Sequence, residues 1–104
     1  MHLQEGFHIY YIYIITNKAK TVLYTGVTNN LKVRLSQHKE NIKIDNQTFA
    51  SKYNVEFLLY YEKFNWIQEA IAREKEIKGW RREKKITLIK MINPNLDFLD
   101  YLFV

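Results

Sequence analysis

The sequence predicts an α/β domain of the α+β kind: a small central three-stranded antiparallel sheet flanked by helices. Three observations lead there. Three short runs, FHIYYIYII from Phe7, VLYTGVT from Val22 and VEFLLYYE from Val55, are dense in β-branched and aromatic residues, as strands are. The segments around them space their apolar residues by three or four, and Asn, Gly and Asn-Pro punctuate them. At 104 residues, with 47% hydrophobic and 15% aromatic residues, three Gly and one Pro, the chain has material for one packed core.

The first run, Phe7 to Ile15, is apolar or aromatic at nearly every position, which places it centrally with both faces covered. Thr16 to Thr21 is a polar loop, and Val22 to Thr28 returns as the second strand of a hairpin. Symmetric closure of that loop sets Tyr13 opposite Tyr24, and cross-strand neighbours share a face. Asn29 or Asn30 caps a helix from Leu31 to about Glu40, with Leu31 and Leu35 as its apolar stripe and Arg34 and His38 flanking it. Asn41 to Asn54 is a long connection containing Lys43, Lys52 and Tyr53, a place for a binding loop.

Val55 to Glu62 is the third strand. Asn65, with Gln68 three residues on, opens a helix from Trp66 to Lys78 that Gly79 ends. A further helix runs from about Arg81 to Ile92 and stops at Asn93-Pro94. Leu96, Leu99, Leu102 and Phe103 form a last short amphipathic helix that closes over the core; a partner-facing surface is its other reading.

Composition excludes several chemistries. With no cysteine, there is no disulfide framework, thiolate metal cage or thiol nucleophile, which fits a cytoplasmic protein. The longest early apolar run is far below the roughly 20 residues of a membrane helix, and no secretory leader pattern surrounds it. Net charge is +5, and Arg73, Lys75, Lys78, Arg81, Arg82, Lys84, Lys85 and Lys90 crowd half of the sixteen basic residues into one region. Such a field suits a polyanion, nucleic acid or an acidic membrane surface, while Glu76 and Glu83 leave open a plain solvated helix face.

One residue breaks the amphipathic pattern. On the helix from Trp66 to Lys78, Ile67, Ala70 and Ile71 define the inward face, and Glu74 is the next residue on it. An inward carboxylate must be protonated, paired or metal-bound, because a bare one costs several kcal/mol in a low-dielectric site. Lys78, four residues on, is the simple pairing partner; metal binding is the alternative, and spacing alone leaves both open.

Taken together, YIY (Tyr11 to Tyr13), YTG (Tyr24 to Gly26), TNNLKVRLSQH (Thr28 to His38) and AIAREKEIKGW (Ala70 to Trp80) resemble the GIY-YIG nuclease family. More narrowly, they are similar to its small stand-alone branch, related to the nuclease domain of the bacterial nucleotide-excision-repair incision subunit. The likeness covers residues 10 to 95, within a single domain spanning 1 to 104 whose motif-bearing core is about 8 to 95. Two positions depart from the family name: Tyr11 stands where it has Gly, and Thr25 where it has Ile. These bear on substrate more than on fold.

The resemblance implies a metal-dependent endonuclease that hydrolyses phosphodiester bonds, DNA more than RNA, of a repair or recombination type. It makes Tyr13, Tyr24 and Arg34 the catalytic residues and Glu74 the ligand of one divalent ion, Mg²⁺ or Mn²⁺; His38, one turn after Arg34, joins the catalytic candidates on its own chemistry, as base, phosphate ligand or half-buried structural histidine. Tyr13, Tyr24 and His38 are alternative general bases, and Arg34 is the phosphate clamp. Asn93 or Asn95 matches a late family asparagine, though Asn93 also reads as a helix cap before Pro94. Lys43, Lys52, Lys78, Arg81, Arg82, Lys84 and Lys85 are the candidate nucleic-acid contacts. The other readings are a nucleic-acid-binding module that keeps the fold without turnover, and an interaction module dimerising through Leu96 to Val104. The expected state is a monomer or weak dimer, without membrane attachment, that can use a protein partner for targeting.

Overall fold

A computed structural model describes residues 8–44 and 53–103. Its strands are β1 (Tyr10–Thr16), β2 (Leu23–Thr28) and β3 (Phe57–Phe64); its helices are α1 (Leu31–Ile44), α2 (Ile67–Lys78) and α3 (Arg82–Lys90), followed by a 3-10 turn, Asp100–Phe103. The sheet order is β2-β1-β3, antiparallel throughout, so the most apolar run is the central strand as expected. Lys52 and the side chain of Lys43 lie outside the described residues.

Ile12 and Ile14 point to one face of the sheet, where Ala70 and Ile77 of α2 and Ile89 of α3 cover them. Tyr13 and Ile15 point to the other, against Leu31 and Leu35 of α1. The hairpin register differs from symmetric closure: Tyr13 faces Gly26, and Tyr24 faces Ile15. The slide is two residues, so both phenols stay on the α1 face although they are diagonal neighbours. Asn17 shapes the loop, since its Oδ1 accepts the Thr21 and Val22 amides at 2.8 and 3.2 Å. Lys20 takes a left-handed φ of 60° there.

Asn30 caps α1 by accepting the Val33 amide at 3.1 Å, and the helix continues four residues past Glu40 to Ile44. The cap expected of Asn65 is not made. β3 runs on to Phe64, which leaves Asn65 in the bend after the strand, and Trp66 occupies the cap position without a side-chain bond. The buried stripe of α2 is Ala70, Glu74 and Ile77; Ile71, expected inward, is 37% exposed. Gly79 ends α2 in a right-handed conformation (φ −78°), so its freedom at positive φ is not used.

β3 carries a bulge. Ile14 pairs with Tyr60 and Ile15 with Leu58, which leaves Leu59 as the extra residue. Buried Asn93 donates to the Leu59 carbonyl and to that of Asp97, both at 2.9 Å, while its Oδ1 accepts the Asp97 amide. Asn93 therefore is not the cap of a following helix: it satisfies the backbone freed by the bulge and closes its own turn. Beyond it the chain runs along the outer edge of β3, where Leu99 donates to the Leu58 carbonyl at 2.8 Å and Asp100 accepts the Leu58 amide at 2.9 Å. The last amphipathic segment is thus a 3-10 turn whose Leu99 and Phe103 pack onto the α1-side core.

Candidate active site

Tyr13 is 2% exposed and projects from the middle of β1 toward α1. Its ring crosses directly over Gly26, where a Cβ would fall 2.4 Å from the phenol oxygen. The glycine of the YTG run is therefore required by a close approach rather than by a turn. The Tyr13 hydroxyl lies 3.0 Å from Nε2 of His38, and the ring of Tyr24 stands 6.5 Å from that of Tyr13 and 5.8 Å from the imidazole. Strand parity delivers the phenols, and the third turn of α1 delivers the histidine.

His38 is buried, and its environment disfavours the cation. Burial is the main cause, the Arg34 and Lys39 charges add to it, and the pKa falls to about 4. At neutral pH the ring is uncharged, with one N–H and one lone pair to share with Tyr13. The phenol of Tyr13 is pushed above its ordinary range, first by burial and then by Tyr24, with Glu74 adding and Arg34 opposing. A standing tyrosinate at residue 13 is accordingly disfavoured.

Arg34 precedes His38 by one turn. Among the described residues its buried Nε has no hydrogen-bond acceptor and its guanidinium pairs with no carboxylate, Glu40 included. A buried guanidinium donor without an acceptor is a costly feature, and an anionic ligand would remove the cost.

Glu74 lies on α2, which packs against β1 and β2 from the opposite face of the sheet, and its charge is among those that act on the Tyr13 phenol. Its side chain is 12% exposed, and Oε2 takes an ion pair from Lys78 at 2.6 Å. The Lys78 ammonium also lies 5.9 Å from the centre of the Tyr24 ring, which links α2 to the phenols across the edge strand. The inward carboxylate and its pairing with Lys78 thus coexist. Among the described residues no group of three or more His, Asp or Glu side chains could form a multi-ligand metal cage. The donor set fits one hard cation that keeps most of its waters and takes a single carboxylate, once Lys78 moves aside.

The other candidates scatter. Arg82 donates to the carbonyls of Lys20 and Thr21 at 2.8 and 3.1 Å, bracing the hairpin loop. Lys84 lies 4.2 Å from the centre of the Trp80 ring, Arg81 is exposed, and Lys85 is half-buried. Asn93 serves the bulge, and Asn95 is exposed. Arg73, grouped in the sequence with the surface cations, forks onto Glu62 at 3.0 Å and reaches Glu76 at 2.9 Å. Tyr60 also donates to Glu62. Two features escaped the sequence reading: the packing of Gly26 beneath Tyr13, for which the motif itself was the only clue, and the buried Thr25 hydroxyl, which has no hydrogen-bond partner among the described residues.

Residues 9–87 match the family model described as the GIY-YIG catalytic domain. A UPF0213 protein of Staphylococcus haemolyticus is 32% identical over 81 residues, which span 78% of this chain and 94% of that one. For a UPF0213 protein of Clostridium perfringens the identity is 37% over 83 residues, 76% and 81% of the two chains. The solution NMR structure of a UPF0213 protein from Bacillus halodurans superposes with a TM-score of 0.52 at 26% identity, covering 84% of this chain and 88% of that one.

Proposed function

Since this chain belongs to the GIY-YIG catalytic-domain family and has its nuclease fold, we propose that it is a metal-dependent endonuclease hydrolysing phosphodiester bonds in DNA. The observation that carries the reading is the buried, acceptor-less Arg34 Nε beside the hydrogen-bonded Tyr13–His38 pair. A phosphate oxygen supplies the acceptor Arg34 lacks, and charge growing on phosphorus is held by a donor already in place.

Tyr13 acts as a relay. In the His38 tautomer with Nε2 unprotonated, the Tyr13 hydroxyl, 3.0 Å away, donates to it, which leaves phenol lone pairs to accept a hydrogen bond from the attacking water. As the water attacks, its proton passes to Tyr13 and the phenol proton to His38, so no free tyrosinate is formed. Arg34 is one of the charges that depress His38. A phosphate bound to Arg34 neutralises part of that charge and makes the imidazole a better acceptor when substrate is present. Glu74 would hold one Mg²⁺ or Mn²⁺ ion, which supplies Lewis-acid stabilisation of the phosphate and leaving oxygens.

The second reading, a nucleic-acid binder without turnover, is favoured by one observation: an ammonium already occupies Glu74. End-labelled single-stranded, nicked and branched DNA, with RNA counterparts, incubated in Mg²⁺ or Mn²⁺ decides between them. The nuclease reading expects wild-type cleavage whose single-turnover rate falls by about 10²–10⁴ in Tyr13→Phe and in Glu74→Ala, with affinity retained. Undiminished cutting by Glu74→Ala removes the proposed site. Salt-sensitive binding with no cutting of any substrate establishes the second reading.

A further inference from the structure

Lys78 is the cation that answers the buried carboxylate of Glu74, yet its own side chain is 50% exposed. The ammonium enters from solvent, on a flexible stem, to a group that is only 12% exposed. Arg73, on the same helix, is the contrast: its guanidinium is forked on Glu62, bonded to Glu76 and set 5.3 Å from the Trp80 ring centre, so several partners already hold it. A lysine makes a compact point-charge pair that can be broken and remade, where an arginine would hold the carboxylate in a two-toothed grip.

We propose that Lys78 is an exchangeable counter-ion: its ammonium neutralises Glu74 until a dication takes the carboxylate, and it then passes to a substrate phosphate, so that metal and nucleic acid bind cooperatively. The inference rests on the metal-dependent nuclease reading and adds the coupling between its two ligands. Two cations crowded on one carboxylate repel each other, so the dication must displace the ammonium. Once released, Lys78 has to hand the Tyr24 ring, 5.9 Å away, and whatever anion lies on the phenol and Arg34 side of the site. A phosphate there draws Lys78 off Glu74 and eases dication binding by the factor with which the dication eases phosphate binding.

The test begins with Mn²⁺ alone, titrated into the full chain and followed by electron paramagnetic resonance. Lys78→Gln is expected to bind Mn²⁺ at least threefold more tightly than wild type, Lys78→Arg more weakly, and Glu74→Gln not at all. In a second arm, the affinity for a single-stranded oligonucleotide is compared in Ca²⁺ and in chelator. Wild type should gain severalfold from Ca²⁺, and Lys78→Gln should lose most of that gain. Urea melts verify that each variant is folded, and the arginine variant carries the test if the glutamine variant is not. Equal Mn²⁺ affinity in wild type and both Lys78 variants, with none in Glu74→Gln, overturns the exchange and leaves the metal site standing. Mn²⁺ binding that Glu74→Gln does not weaken overturns the exchange and the metal site together.

Discussion

The candidate site holds a histidine kept neutral by its surroundings. His38 faces Tyr13 from β1, Tyr24 from β2, and Arg34 and Lys39 from its own helix; burial and the two cations lower its pKa to about 4. In the unfolded chain the same imidazole titrates near 6.5. As pH drops below about 6.5 the unfolded state takes up a proton that the native state refuses until about pH 4, so stability is complete above that window and declines through it. Urea unfolding at pH 7 and pH 5 should show a loss of about 2 kcal/mol from this residue, and His38→Gln should flatten that part of the profile. A wild-type slope that the substitution leaves intact would mean His38 is not the group responsible.

At the level of the elements, the bulge in β3 and the turn after α3 form one device. Inserting Leu59 frees a buried carbonyl within the edge strand β3, and Asn93, 34 positions later, supplies the amide that bonds it. The same side chain gives and takes one bond each within its own turn, which sets the direction of the chain toward the β3 edge. Asn93→Ala leaves the buried Leu59 carbonyl without that partner and should cost about 1–3 kcal/mol, read as a lower urea midpoint at unchanged slope. Asn93→Asp keeps the acceptor and loses both donors, so it should be no better than alanine. The Arg73–Glu62–Tyr60 chain works similarly between α2 and β3: its three polar side chains tie a helix to the sheet through their bonds to one another.

For the molecule as a whole, the two edges of the sheet have opposite fates. The β2 edge is where groups from both faces meet, with Tyr13, Tyr24, His38 and Arg34 on the α1 side and Glu74 and Lys78 on the α2 side. The β3 edge is covered by the chain's own C-terminal segment through the Leu58–Leu99 and Leu58–Asp100 bonds, the Lys39–Asp100 ion pair at 2.9 Å, and the Phe57–Phe98 stack at 4.4 Å. An uncovered strand edge is a template for pairing with another chain. A chain ending at Ile92 loses Asn93 as well as this cover and should unfold without a sharp transition and self-associate by light scattering. Were Leu96 to Val104 instead a dimer face, the shortened chain would remain a folded monomer.

The local code of the chain determined a good deal. Alternation in Tyr11–Ile12–Tyr13–Ile14 sorted side chains to two faces, and the run of buried positions from Ile12 to Thr16 made β1 central. An asparagine at 29 or 30 marked the start of α1, with Asn30 making the cap, and the helical spacing from Ile67 and Ala70 turned Glu74 inward, because these features depend on neighbours within a turn or a pleat. Only the tertiary structure decided the hairpin register, the exclusion of Ile71 from the core in favour of Ile77, the idle Asn65, and the employment of Asn93, Arg73 and Arg82 on distant backbone or carboxylates. A two-residue slide keeps every side chain on its face, so periodicity cannot detect it. Likewise, a cation in a basic run looks the same whether it faces water or a carbonyl 62 residues away. Those choices are made by which elements pack together, and that is a property of the folded chain rather than of any window within it.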